Sequence, residues 1–292
     1  MTAGGAAASP AGGLGAGAIR ELAARHAIRP SKALGQNFLI DPNLARAIAA
    51  EAGAAPGVRV VEVGAGFGSL TVALAEAGAD VMAIEFDRRL QPALAEVVGG
   101  LRRVSIVAAD AMKMDWDAQL GEGPWTMCAN LPYNIATPLV LELLERAPGI
   151  GVFVVMVQRE VGERLAAGAG EEAYGAVSVK VAYRARATLV RRVPPEVFWP
   201  RPGVESVVVR LDRLSAPPVD VDPGALWSVV EAGFAQRRKT MRNALVRLGV
   251  DRGRAGELLS RSGVDPRARA EELELAALAR VATAVAAEIG PS

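Results

Sequence analysis

Two short stretches carry side chains whose types and spacing could do chemistry. The first is Glu62-Val63-Gly64-Ala65-Gly66-Phe67-Gly68-Ser69. Glycines at 64, 66 and 68 let the backbone turn sharply and approach a ligand closely. Glu85 follows Gly64 by 21 residues (85 − 64), where a carboxylate ending the next strand can accept both ribose hydroxyls of an adenosine cofactor. Asp110 suits the adenine amino group as an acceptor, or equally a helix cap. The second stretch is Asn130-Leu131-Pro132-Tyr133. Here the Asn130 side-chain oxygen and the Leu131 carbonyl can grip both hydrogens of an exocyclic base amine. That nitrogen is a poor nucleophile because its lone pair is delocalised into the ring. Two acceptors draw it towards a tetrahedral shape and aim the lone pair at an electrophilic carbon, which is catalysis by positioning and preorganised polarity. Pro132 stiffens the turn, and Tyr133 offers a ring on which an extruded base can stack, worth roughly 1–3 kcal/mol per base. A strand-ending turn with its tyrosine in the core is the structural alternative.

These residues need an open α/β sheet to bring them together, and the sequence alternates accordingly. Apolar runs at residues 58–63, 80–85, 104–108, 125–129 and 151–157 read as strands. Residues 70–77, 88–97 and 138–146 read as helices between them. Continuous apolar strands separated by helices imply a parallel sheet covered on both faces. In such a sheet ligands sit beyond the carboxyl ends of the strands, so the glycine turn and Asn130 face one crevice. Asp41-Pro42 opens a further helix to about residue 51, and residues 31–40 read as an irregular loop. After residue 158 the period changes. Residues 174–183 fit helix or strand, 187–193 and 206–211 read as strands, and 214–222 (LSAPPVDVD) has the composition of a linker. Residues 225–234, 240–248, 254–260 and 271–288 then read as helices. The expected organisation is a disordered Ala/Gly-rich tail at 1–17, an α/β cofactor-binding domain at 18–213 and a small all-helical domain at 214–292.

Composition narrows the function classes. The chain has 292 residues, 51% hydrophobic, with one cysteine and one histidine. That excludes a disulfide framework and argues against a protein-ligated metal. No uncharged apolar run approaches the ~18 residues of a membrane span, and no basic start precedes an apolar core, so a cytoplasmic protein is expected. The net charge is +1 but uneven. Residues 51–122 hold six Lys/Arg against eleven Asp/Glu, whereas 180–192 hold five cations and no acid. Residues 237–254 hold seven cations against Asp251 alone. Such asymmetry suits a polyanion partner, and solvated helix faces equally well.

The glycine turn fits E-x-G-x-G-x-G, the pattern of S-adenosylmethionine methyltransferases, better than a dinucleotide fingerprint, whose third glycine would fall at Ser69. Together with four further motifs in order, it resembles the rRNA adenine N6,N6-dimethyltransferases, most closely their bacterial small-subunit, kasugamycin-sensitivity type. The resemblance spans about residues 19–282. Besides residues 62–68, it is carried by residues 31–39 (SKALGQNFL), 130–138 (NLPYNIATP), 198–206 (FWPRPGVES) and 234–245 (FAQRRKTMRNAL). It implies a Rossmann-like fold and dimethylation of two adjacent adenosines in the 3′-terminal hairpin of 16S rRNA during small-subunit assembly. By the same resemblance Asn37, Leu39, Gly64, Glu85, Asp110 and Asn130, with Gly66 of the turn, bind S-adenosylmethionine. Gln36 and Asn37 help order their loop, and Phe198 stacks on the target base opposite Tyr133. Without the resemblance, Phe198 reads as a core aromatic. Arg237, Arg238, Lys239 and Arg242 would face RNA phosphates, giving affinity and register but little sequence reading. Ala136 and Met241 depart from the commoner serine and leucine, and neither holds one of these roles. Expected partners are 16S rRNA within the small subunit or its precursor, with no membrane, no metal and a monomeric state. Two other readings stay open: a large-subunit rRNA dimethyltransferase conferring antibiotic resistance, and an assembly factor acting mainly by binding. Cys128 and the tryptophans at 116, 125 and 227 read as packing residues.

Overall fold

A computed structural model describes residues 13–132, 135–236 and 238–289. Contacts divide them into two units.

The first unit runs through Gly162 and takes in Ala187–Arg213. It opens with α1 (Ala16–Arg25), β1 (Phe38–Leu39) and α2 (Pro42–Glu51), the last capped by the Asp41 carboxylate with proline in its first turn. Then β2 (Arg59–Val63), α3 (Ser69–Glu76), β3 (Asp80–Ile84), α4 (Gln91–Val98) and β4 (Val104–Val107) alternate. The chain continues through α5 (Trp116–Leu120), β5 (Trp125–Asn130), α6 (Ala136–Arg146), β6 (Ile150–Gln158) and α7 (Arg159–Ala166). After α8 (Ala176–Arg184), β7 (Ala185–Val193), β8 (Phe198–Trp199) and β9 (Ser206–Arg213) complete the strands.

Seven strands form one sheet in the order β4-β3-β2-β5-β6-β9-β7. From β4 to β6 every pairing is parallel, with Glu62 lying between Ala83 and Cys128 in register. The chain starts in the middle at β2, moves outward to β4 and then returns to β5. The loops leaving β2 and β5 therefore diverge, and a crevice opens between them at the carboxyl ends of the strands. Beyond β6 in the sheet the parallel pairing stops, and β9 pairs antiparallel with β6. The sheet is thus mixed and not wholly parallel. Along β3, Val81 belongs to the cluster of Ile48 and Leu74, and Ala83, two residues further on, to the cluster of Ile19, Phe67 and Leu94.

Two expectations change. Leu14 is 2% exposed and shares the cluster of Ile19 and Leu22, and α1 begins at Ala16. Residues 13–17 therefore belong to the folded unit, because Leu14 has an apolar surface to bury against; residues 1–12 lie outside the described residues. The single boundary at 213/214 also gives way. Glu163–Arg186 packs with the chain from Leu214 onward. The ambiguous segment 174–183 is largely α8, whose Val179 and Tyr183 join Leu226, Val229 and Val230 in a separate core.

That second unit contains α8 with α9 (Pro223–Phe234), α10 (Met241–Arg247), α11 (Arg252–Arg261) and α12 (Leu275–Ile289). The Tyr174 hydroxyl donates to the Leu273 carbonyl at 2.9 Å, and Lys180 Nζ lies 3.0 Å from Glu231. No described helix is long and apolar enough to cross a membrane.

Candidate active site

The crevice holds a cavity of about 280 Å³, near the lower end of ligand-sized clefts (~300–1,000 Å³). Its wall is built from four places: residues 34–38 before α2, the glycine turn, the segment from Ile84 to Asp87, and the ends of β4 and β5 with the loops that follow them. Of the residues named from sequence, it brings together Asn37, Gly64, Gly66, Glu85, Asp110, Asn130, Leu131 and Pro132.

Glycine is required in the turn for two reasons. Gly64 and Gly66 both have positive φ (77° and 60°), a region other residues enter only under strain. A Cβ on Gly66 would also come within 3.0 Å of the Phe38 ring. Opposite the turn, Glu85 directly follows β3 with both carboxylate oxygens oriented. Gly66 N–H donates to Oε2 at 2.8 Å and Asp87 N–H to Oε1 at 2.7 Å. Each oxygen keeps capacity for another donor such as a ribose hydroxyl. Burial raises the Glu85 pKa, and those two backbone donors pull it back. Asp110 accepts Met112 N–H at 3.1 Å through Oδ1, while Oδ2 lies 3.7 Å from Lys113 Nζ. It therefore closes a local turn while standing on the wall.

Asn130, the last residue of β5, is oriented by one bond. Its Nδ2 donates to the Asn37 carbonyl at 2.8 Å. A carbonyl can only accept, so this end of the amide must be the NH₂, and Oδ1 remains the acceptor end. Leu131 N–H donates to the Met156 carbonyl at 3.0 Å, continuing the β5–β6 ladder into the tetrapeptide. Tyr133 lies outside the described residues.

Leu39 and Phe198 stand apart from the cavity wall. They are register partners in the two-stranded ribbon β1–β8, next to the pair Phe38 and Trp199. Both are buried at 3% exposure in the core with Cys128 and Met156. The Leu39 carbonyl accepts the Ser69 hydroxyl at 2.6 Å, tying the ribbon to the start of α3. Phe198 thus occupies the position of a core aromatic in this structure. Of the basic residues, Arg238 and Lys239 are exposed between α9 and α10 of the helical unit. Arg242 Nε donates to the Arg252 carbonyl at 2.9 Å, and Arg237 lies outside the described residues.

Sequence reasoning passed over three residues here. Phe86 is on the wall and 61% exposed, and Asp87 lines it beside Gln36. Their signal is position alone, directly after Glu85. Glu62, the first letter of the glycine motif, lies beneath the turn and is 2% exposed. It accepts Thr71 Oγ1 at 2.5 Å, and burial pushes its pKa up to about 8. Neighbouring Cys128 is buried and its thiol is pushed well up, mainly by burial, which leaves it unreactive.

Residues 28–287 match the family described as ribosomal RNA adenine dimethylase. The chain is 44% identical over 275 residues to "Ribosomal RNA small subunit methyltransferase A" of Leifsonia xyli, covering 92% of this chain and 97% of that one. The protein of the same name in Thermobifida fusca is 45% identical over 271 residues, covering 90% and 93%. Among solved structures, the 23S rRNA methyltransferase ErmE superimposes with a TM-score of 0.67 at 26% identity, covering 85% of this chain and 99% of that one. A dimethyladenosine transferase from Plasmodium falciparum superimposes at 0.71 with 23% identity, covering 84% and 95%, and shares the fold.

Proposed function

This chain belongs to the ribosomal RNA adenine dimethylases, and from that premise we propose that it dimethylates two adjacent adenosines in the 3′-terminal hairpin of 16S rRNA. It is a methyltransferase. The observation that carries the site assignment is the Asn130 amide, whose acceptor end is set by the bond from Nδ2 to Asn37.

The cavity fits S-adenosylmethionine as the donor. A turn with three positive-φ glycines lets backbone reach a ligand, and Glu85 and Asp110 set acceptors at separate places along the wall. Glu85 would hold the ribose hydroxyls, Asp110 the adenine amine, and Gly64, Gly66 and Asn37 the rest. When bound, the cofactor supplies an electrophilic methyl group on a sulfonium. The protein's own part is to orient the nucleophile. Asn130 Oδ1 and the Leu131 carbonyl would accept the two N6 hydrogens, drawing the amine out of the plane and freeing its lone pair. No strong base is needed, since a proton can leave to water afterwards. Tyr133 would stack on the extruded adenine. By the resemblance Leu39 would bind the cofactor and Phe198 would stack on the base opposite Tyr133, from the ribbon that carries Phe38 to the glycine turn.

Arg238 and Lys239, with Arg237 and Arg242, would grip RNA phosphates from the helical unit. The small-subunit target is supported by relatives at 44–45% identity that bear that name, against 26% for the large-subunit enzyme. An rRNA substrate accords with a cytoplasmic location. The test is transfer of tritiated methyl groups to undermodified 30S and 50S particles, with N6,N6-dimethyladenosine mapped in the rRNA of each. Label at the two hairpin adenosines is expected. Label confined to 23S rRNA, or absent from adenine, would overturn the reading.

A further inference from the structure

The loop of residues 31–37 is tied to both sides of the cavity. At one side the Asn37 carbonyl accepts Asn130 Nδ2. At the other, Gln36 uses both ends of its amide. Its Oε1 accepts Ser31 N–H at 2.8 Å, and its Nε2 donates to Asp87 Oδ2 at 2.9 Å. Gln36 N–H in turn donates to the Ser31 carbonyl at 3.2 Å, and Leu34 N–H to Ser31 Oγ at 3.3 Å. The loop is therefore a closed local ring, and its bond to Asp87 spans 51 positions of sequence.

Asp87 is itself fixed. Arg89 donates to it three times: from backbone N at 3.0 Å and Nε at 2.9 Å to Oδ1, and from Nη2 at 2.6 Å to Oδ2. These bonds hold its carboxyl down to about 2, so it is an anion at any working pH. The same residue's N–H donates to Glu85 Oε1. One residue thus orients the candidate ribose acceptor with its backbone and the loop with its side chain.

We propose that Gln36 and Asp87 form a latch of positioning residues that holds loop 31–37 against the cavity and so sets cofactor affinity, leaving the methyl-transfer step itself unchanged. The proposal rests on the reading of the cavity as the S-adenosylmethionine site. Leu34, Gly35, Gln36 and Asn37 all face the cavity. Releasing the latch would leave their ordering to be completed on binding, at a cost in affinity.

A reversal of polarity tests this. Gln36→Glu keeps an acceptor for Ser31 N–H but sets carboxylate against carboxylate. Adding Asp87→Asn returns a donor–acceptor pair in the opposite sense, with Oδ1 keeping the Arg89 N and Nε bonds while the exposed end of the Arg89 guanidinium turns away from the new Nδ2 into solvent. S-Adenosylmethionine affinity, measured by calorimetry on the full chain, should fall about tenfold in Q36E and recover to within about threefold in Q36E/D87N. KM for the cofactor should follow these affinities, while kcat stays within about twofold. Without cofactor, trypsin should cut after exposed Lys32 faster in Q36E than in wild type or the double variant. Equal affinities in all three proteins, or a double variant no better than Q36E, would overturn the latch. A loss confined to kcat would overturn it too. Wild type that fails to bind the cofactor would instead overturn the cofactor reading, and the proteolysis then judges the latch's hold on the loop.

Discussion

In the α/β unit, Asn130, Glu85, Asp87 and Gln36 each have at least one side-chain bond, at 2.6–2.9 Å, that fixes which atom can face a ligand. In the helical unit, the Arg238 and Lys239 side chains are exposed, with no side-chain hydrogen-bond or ion-pair partner among the described residues. Of the candidate phosphate-facing cations described, Arg242 alone is anchored, on the Arg252 carbonyl. The difference follows from the two tasks. Turning a delocalised amine into a nucleophile depends on atoms held to within about half an ångström. Gathering a phosphate backbone needs charge density, and long mobile side chains supply it without preorganisation.

The sharpest way to break this contrast is at Asn130. Asn130→Ala should lower methyl transfer by about 10²–10³-fold, the usual effect of removing one preorganised polar group. Asn130→Asp should be nearly as damaging, since a carboxylate cannot donate to the Asn37 carbonyl. Melting temperatures should stay close to wild type, because Asn130 is only partly buried. Single-turnover rates on undermodified 30S particles give the first measurement and thermal unfolding the second. Activity within tenfold of wild type in Asn130→Ala would deny the side chain its role.

The helical unit should behave differently. Arg238→Ala/Lys239→Ala should weaken binding to 30S particles and lower the slope of log affinity against log salt by about 1.4–1.8, near 0.7–0.9 per lost phosphate contact. The rate at saturating substrate should hardly change. Arg238→Lys should cost little, since it keeps the charge at an unpaired position. Loss of kcat with an unaltered salt slope would place these side chains in the chemistry and erase the distinction between the units.

What could be read from the chain beforehand divides along similar lines. The glycine turn, Glu85, Asp110 and Asn130 were legible because each ends or follows an apolar run long enough to register as a strand. The parallel order of those strands then forces them to one side. The ribbon β1–β8 was not legible, since two-residue strands carry no periodicity. The residues alone read Phe198 as a core aromatic and the resemblance reads it as a stacking platform; its side chain is buried at 3% exposure. Asp87 was missed because its partner Gln36 lies 51 residues away and no spacing rule links an acid to a distant amide. The boundary was half seen. A proline-bearing linker marks the crossing at 214–222, whereas the crossing near 163 lies within α7 and has no such composition. The amphipathic pattern of α8 is short enough to fit either period, and only its packing against Leu226 and Val230 decides the matter.

A smaller effect sharpens the comparison from within the α/β unit, at a polar group fixed firmly yet away from the ligand. Glu62 is held by Thr71 beneath the glycine turn, and burial raises its carboxyl from 4.5 to about 8. Since the folded pKa lies above the unfolded one, the folded state binds this proton more tightly. Its stabilising contribution is complete below about pH 4.5 and is lost as pH rises through about 8. Wild type should therefore lose melting temperature between pH 6 and 9, by ~2–4 °C for each kcal/mol of linkage in a chain of this size. Glu62→Gln keeps an acceptor for the Thr71 hydroxyl and removes the titration, so its melting temperature should fall less over that range. Measured together, the two proteins should differ more at pH 9 than at pH 6, with the glutamine variant gaining relative to wild type. Parallel curves would mean that Glu62 does not change protonation across that range. Cofactor affinity at pH 7 should be nearly the same in both, because the neutral acid and the amide present similar groups to the turn above them.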